Sequence, residues 1–213
     1  MTMTRRAAFS TALLACASAG AAATLAAAQT TSGPRVGAPA PNFTSTDSIG
    51  RKHNLADFKG KTVVLEWTND ECPFVRKHYT GQSMQALQRK WTGKGVVWLT
   101  VISSPPGEQG YATAEKANRL SADRGATPTA VLLDPTADVG RAYKAQVTPH
   151  MYVIKPDGML AYMGGIDDKP STRVEDLKGA KNYIDAALTE LAEGRPVSTS
   201  TARPYGCTVK FSL

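Results

Sequence analysis

The order of apolar runs along the chain predicts an α/β sandwich, a central mixed sheet with helices on both faces. Three observations carry this. Short apolar, β-branched runs alternate with helical stretches from about residue 61 to 144. A turn signal, Pro156-Asp157-Gly158, then separates two further apolar runs. Finally, an amphipathic stripe at helical spacing closes the predicted domain.

Residues 29–41, rich in Gly, Pro, Ser, Thr and Ala, read as an extended lead-in. Residues 61–68 (KTVVLEWT), bounded by Gly60 and by polar Asn69-Asp70, read as a buried strand. A helix then starts at Pro73, a residue suited to the first helical position because its missing N–H would be unpaired there anyway. Met84, Leu87 and Trp91 form its apolar face, with Gly81 as a candidate kink. Residues 95–102 (GVVWLTVI) are a second buried strand, 111–124 a helix, 130–133 a third strand and 138–144 a short helix. Residues 151–155 and 160–163 flank the Pro-Asp-Gly turn as an antiparallel hairpin at the sheet edge. The last helix is marked by Val174, Leu177, Ile184, Leu188 and Leu191, with Thr172 and Glu175 as a capping box and Gly194 at its end. The predicted domain spans 42–194, and a tail over 195–213 carries Cys207. The first three strands should be parallel, joined by right-handed crossovers, so that strand-to-helix loops gather at one end where ligands usually sit.

The chain has 213 residues, 42% hydrophobic and 20% charged, which excludes collagen-like, coiled-coil and wholly disordered classes. It carries 25 Lys and Arg against 18 Asp and Glu. The basic residues are dispersed, and the cluster Arg76-Lys77-His78 is too small to predict a nucleic-acid partner. Gly93-Lys94-Gly95 is a turn before a strand, not a phosphate loop, and no nucleotide fingerprint or Ser/His/Asp triad is discernible, so no cofactor is expected. Residues 1–28 read as a secretory signal: Arg5-Arg6, an uncharged stretch centred on 9–15, then Ala26-Ala27-Ala28 as the cleavage site. Secretion, in a bacterium to the periplasm, follows, with no stable membrane insertion after cleavage. Other readings are an uncleaved anchor, a lipoprotein signal ending at Cys16, and a twin-arginine signal. Cleavage leaves 23 basic and 18 acidic residues, and Cys72 and Cys207 as the two cysteines. Two thiols meeting an oxidising compartment make a disulfide between them plausible.

Cys72 stands in the loop between the first strand and the first helix. A cysteine at a helix N-cap faces free backbone N–H groups and the positive end of the helix dipole, which favour thiolate over thiol. Pro73 supplies no N–H of its own, and Arg76 with Lys77 adds positive potential, against Asp70 and Glu71.

These residues sit in a wider pattern. Val36-Gly37-Ala38-Pro39-Ala40-Pro41-Asn42-Phe43, then Asp47, Gly50, Leu55 and residues 58–65 (FKGKTVVL), resemble the opening of thioredoxin-fold redoxins of the alkyl hydroperoxide reductase/thiol-specific antioxidant group. Cys72-Pro73 matches that group's reactive cysteine, and Val147-Thr148-Pro149 resembles its cis-proline loop. The resemblance covers about 35 to 211 and ends on Tyr205-Gly206-Cys207-Thr208-Val209-Lys210-Phe211, similar to a bacterial subgroup with Gly-Cys-Thr near its C-terminus. It implies a thioredoxin-like sandwich, a nucleophilic Cys72, a cis Pro149 facing it, and thiol–disulfide or peroxide chemistry on a protein partner or a small peroxide. Two departures matter. Val75 occupies the fourth position of a Cys-x-x-Cys pair, and Asn69 stands where a peroxiredoxin has its peroxide-positioning Thr, with Thr68 one place earlier.

Cys207 is the candidate resolving partner, 135 positions from Cys72. A bridge over such a loop would contribute roughly 4–5 kcal/mol in the entropic account. The bond is either a redox-active pair or a permanent structural disulfide. A third reading joins Cys72 and Cys207 with His78 and His150 in a soft copper or zinc site. Asp167-Asp168, after Gly164-Gly165, reads as a turn with capping acids.

Overall fold

A computed structural model of the chain describes residues 1–2 and 33–211. Its contacts divide the chain into two units, Met1–Thr30 and Thr31–Leu213, and the fold is that of the second. The expected signal, its cleavage site at Ala28, Cys16 and the first part of the lead-in lie outside the described residues.

An antiparallel hairpin opens the domain, with strands β1 (Thr44–Asp47) and β2 (Lys52–Asn54). The sequence reading missed it, because its residues are polar and its one strong signal is the turn at Gly50. A 3₁₀ turn, Leu55–Phe58, follows, capped by Asn54 and Asp57. Then come β3 (Val63–Trp67), α1 (Pro73–Thr80), α2 (Ser83–Thr92), β4 (Val97–Ile102), α3 (Ala114–Asp123), β5 (Ala130–Leu133) and α4 (Asp138–Ala142). The chain ends with β6 (Val147–Thr148), β7 (His150–Ile154), β8 (Leu160–Gly164), α5 (Tyr183–Ala192) and β9 (Cys207–Thr208). The sheet order is β2-β1-β5-β4-β3-β7-β8, and β6 pairs with β9 in a separate two-stranded ladder. β3, β4 and β5 are parallel, and the β7–β8 hairpin lies at one edge, as expected.

Alternation along the central strands sorts the core onto two faces. Val63, Leu65 and Trp67 of β3 join Leu99, Tyr152 and α4's Val139 on one face. Val64 turns to the other, against Val75, Met84, Trp91, Ile184 and Leu188 of α1, α2 and α5. On that second face Glu66 is fully buried and ties four elements together. It accepts from Tyr79 OH (2.7 Å), Trp98 Nε1 (2.8 Å), Gln88 Nε2 (3.1 Å) and Thr100 Oγ1 (3.2 Å). Burial still pushes its carboxyl above the usual range, with these donors pulling it back.

Two helix expectations need correction. The helix after Cys72 is two helices, broken where Gln82 adopts a left-handed conformation (φ 59°). Gly81 leaves room at this corner for the side chains of Leu177 and Val174. The final helix runs only from Tyr183 to Ala192, capped by Asn182, whose side chain accepts from Asp185 N at 2.8 Å. Val174–Leu177 is a separate 3₁₀ turn whose N-cap is Arg173, so Thr172 caps nothing. Gly179, at φ 83°, interrupts the stripe that 3.6-residue spacing had made continuous.

Candidate functional site

Cys72 is the N-cap of α1, at the end of the central strand β3 where the chain turns into the helix. Its φ and ψ of −76° and 120° are extended, and Pro73 opens the helix. Asn69 shapes the turn: its Oδ1 accepts from Glu71 N at 2.8 Å and its Nδ2 donates to Gln109 O at 3.4 Å. The Cys72 side chain is completely buried, and its Sγ donates to the Thr148 carbonyl at 3.1 Å. Thr148–Pro149 is a cis peptide, so the expected proline loop does face the cysteine.

Cys207 arrives from the far end of the chain. In the β6–β9 ladder Thr148 pairs with Cys207 and Val147 with Thr208. Gly206, at φ 140°, makes this approach feasible, because a Cβ there would run into the Thr148 carbonyl. Cys207 is half-buried and touches Cys72; burial and that neighbour push its thiol up to about 12. Neither cysteine is bridged. Two thiols 135 positions apart thus meet beside Thr148, Cys72 donating to its carbonyl and Cys207 pairing with that residue across the ladder.

The supporting residues divide. Thr68 is buried and its hydroxyl has no hydrogen-bond partner. Arg76 is exposed, and its Nε donates to the Asp70 carbonyl at 2.8 Å; no hydrogen bond or ion pair joins it to Cys72. Asp70 and Glu71, expected to oppose a thiolate, both face Lys116 of α3, at 3.3 and 3.7 Å. His78 and His150 fall in different networks. His78 Nδ1 lies 3.1 Å from Ser83 Oγ and its Nε2 3.2 Å from Tyr205 OH, whereas His150 Nδ1 lies 3.2 Å from Tyr152 OH. Burial brings each imidazole down to about 4. Among the described residues no three His, Cys, Asp or Glu side chains converge on a metal position, so the soft-metal reading does not assemble.

Asp167 and Tyr205 were not foreseen in the site. Asp168 behaves as the expected turn acid, accepting from Lys181 N at 2.9 Å. Asp167 instead turns inward among Lys77, His78 and Tyr205. The sequence offers one faint signal for this: Lys77 and His78 lie three and four positions after Phe74, on the same helix face.

A buried cysteine at a strand-to-helix turn, faced by a cis-proline loop on a mixed sheet, defines a thiol-carrying domain of thioredoxin-like architecture. The chain belongs to the AhpC/TSA family, whose pattern it matches over residues 36–163. That region holds Cys72 and Pro149 and stops short of Cys207. The chain is 27% identical over 124 residues to the thiol-disulfide oxidoreductase ResA of Bacillus subtilis, covering 58% of this chain and 64% of that one. It therefore spans less than two thirds of that relative. Among solved structures, an uncharacterized conserved protein from Geobacillus kaustophilus superposes with a TM-score of 0.71 at 28% identity, covering 84% of this chain and 93% of that one. The exposed lipoprotein thioredoxin of Streptococcus pneumoniae superposes with a TM-score of 0.50 at 22% identity, over 71% of this chain and 98% of that one, a likeness of fold alone.

Proposed function

We propose that this protein is an exported thiol–disulfide oxidoreductase with Cys72 as nucleophile and Cys207 as resolving thiol. The observation that carries the reading is the contact between these two side chains beside Thr148, despite their separation in sequence. The Cys72 thiolate attacks one sulfur of a partner's disulfide, forming a mixed disulfide and releasing the partner's other sulfur as a thiolate, which takes a proton. Cys207, after losing its proton to solvent, attacks the Cys72 sulfur and releases the partner's second thiol. The partner gains two electrons, and the chain is left with a Cys72–Cys207 disulfide that an external dithiol reduces.

In this scheme Pro73 opens the helix that Cys72 caps, Asn69 holds the loop before it, and Pro149 shapes the substrate face. The partner is a cysteine-bearing protein; no cofactor and no nucleic acid is required. Disulfide exchange is favoured over peroxide reduction because Asn69, at the peroxide-positioning place, already commits both side-chain polar atoms to the loop. Residues 1–28 act as the cleaved export leader and place the tail and domain in an oxidising compartment. Among the described residues no helix is long and apolar enough to cross a membrane.

Insulin-disulfide reduction with thiol trapping and mass spectrometry tests the scheme. Cys72→Ser is expected to abolish turnover, and Cys207→Ser to stall as a mixed disulfide on Cys72. Wild-type turnover in Cys72→Ser would overturn it. A Cys72–Cys207 bond that resists mild dithiothreitol, with a potential below about −300 mV, would make the bridge structural instead.

A further inference from the structure

Tyr205 stands two residues before Cys207, and its ring and hydroxyl both reach elements outside the tail. The hydroxyl donates to Asp167 Oδ1, accepts from Lys77 Nζ at 3.1 Å and lies 3.2 Å from His78 Nε2. The ring meets Phe74 edge-on, centroids 5.8 Å apart, and lies 5.1 Å from Lys77 Nζ. Lys77 and His78 belong to α1, the helix that Cys72 caps. Lys77 also donates to the Lys169 carbonyl at 2.7 Å and lies 3.6 Å from Asp167 Oδ2.

These groups are out of water: Lys77 is 1% exposed, His78 0% and Asp167 3%. Burying an ammonium and a carboxylate costs several kcal/mol each unless hydrogen bonds satisfy them. Asp167 Oδ1 also accepts from Lys169 N at 2.9 Å, but Oδ2 has no hydrogen-bond partner, so without the Tyr205 hydroxyl this buried carboxylate keeps one hydrogen-bond donor. Lifting the tail would remove the hydroxyl donor and one of Lys77's acceptors together. The β6–β9 ladder, by contrast, is two residue pairs long. Such a ladder is too short to fix the tail on its own.

We infer that Tyr205, held by Asp167, Lys77 and His78, is the positioning residue that seats Cys207 against Cys72. The inference deepens the redox reading of the two cysteines and rests on it for its second consequence only. With the tail seated, Cys72 is fully covered, so an outside reagent reaches it through the unlatched state. The resolving step needs the seated state. Weakening the latch therefore raises the reactivity of Cys72 toward outside reagents and lowers the tendency of the pair to form its own disulfide.

Tyr205→Phe removes the hydroxyl and keeps the ring contacts. In the reduced full-length protein, iodoacetamide alkylation of Cys72, followed by peptide mass spectrometry, is expected to accelerate about tenfold. The equilibrium constant for the Cys72–Cys207 disulfide against glutathione is expected to fall by a similar factor. Asp167→Asn, which keeps the shape of the acid, should move both readouts in the same directions. Wild-type alkylation rates in both variants would overturn the inference. So would faster alkylation accompanied by faster amide exchange throughout β3 and β4, which would mean general loosening. If the wild-type chain forms no Cys72–Cys207 disulfide in glutathione, the redox reading falls, and the alkylation rates still decide the latch.

Discussion

The two cysteines rest on very different foundations. Cys72 follows β3, a strand flanked by β4 and β7 over its whole length, and begins a helix packed into the core. Cys207 rests on a two-residue ladder, one glycine, a polar cluster around Tyr205 and the seating of Val209 in the core two residues on. The first neighbourhood is fixed by extensive burial of apolar surface, the second by a handful of directional contacts and a short apolar anchor at Val209 and Phe211. A thiol in the first changes place only if the core opens, whereas one in the second needs only the tail to unseat. In the proposed scheme this is the division of labour that a held nucleophile and a mobile resolver require.

The largest expected effect breaks the weaker side. Gly206→Ala forces a left-handed backbone onto a residue whose Cβ meets the Thr148 carbonyl, a cost of about 2–4 kcal/mol. The tail should unseat, and Cys72 alkylation should rise at least as far as in Tyr205→Phe. The midpoint of thermal unfolding should move little, which a melt followed by far-UV circular dichroism checks.

An intermediate effect compares the two sides through their histidines. His150 pairs with Trp67 beside the Cys72 strand, and His78 sits under Tyr205. Each imidazole titrates at about 4 in the folded chain, against about 6.5 when unfolded. The unfolded chain therefore binds protons first, so stability is complete above about pH 6.5 and falls as pH drops toward 4, by on the order of 3 kcal/mol for each group. Urea unfolding across this range should show a shallower slope in His150→Gln than in wild type. His78→Gln should in addition unseat the tail, seen as faster Cys72 alkylation, and His150→Gln should not.

The smallest effect concerns charge around Cys72. Lys116→Met leaves Asp70 and Glu71 without their ammonium partner, and Cys72 alkylation at neutral pH should slow about two- to threefold at low salt. The difference should shrink in 1 M salt, which screens these partly exposed charges.

What was readable in the sequence follows the same division. Strands β3, β4, β5, β7 and β8 were foreseen to within about two residues, because a buried strand writes itself as an uninterrupted apolar run. Cys72 at the helix start was readable from Pro73, and the cis Thr148–Pro149 from the family resemblance. The final helix was overextended because Val174 and Leu177 happen to keep helical phase across a break made by Gly179. The β1–β2 hairpin was missed for the opposite reason, since its residues are too polar to leave a periodic signal. The Tyr205 cluster joins residues 128, 127 and 38 positions apart. No local pattern reports a contact of that range.

The tail also does something for the sheet. After α5 it runs beside the outer strand β8, where Met163 N donates to Ser200 O at 3.2 Å and Thr201 bridges Met163 in parallel. Gly164 permits this, because a Cβ there would collide with the Ala202 backbone. β8 would otherwise present open hydrogen-bonding groups to any other chain, the usual seed of edge-to-edge association. The segment that delivers a thiol to the site therefore also acts as the sheet's own gatekeeper, and its loss would expose an adhesive border as well as a buried cysteine.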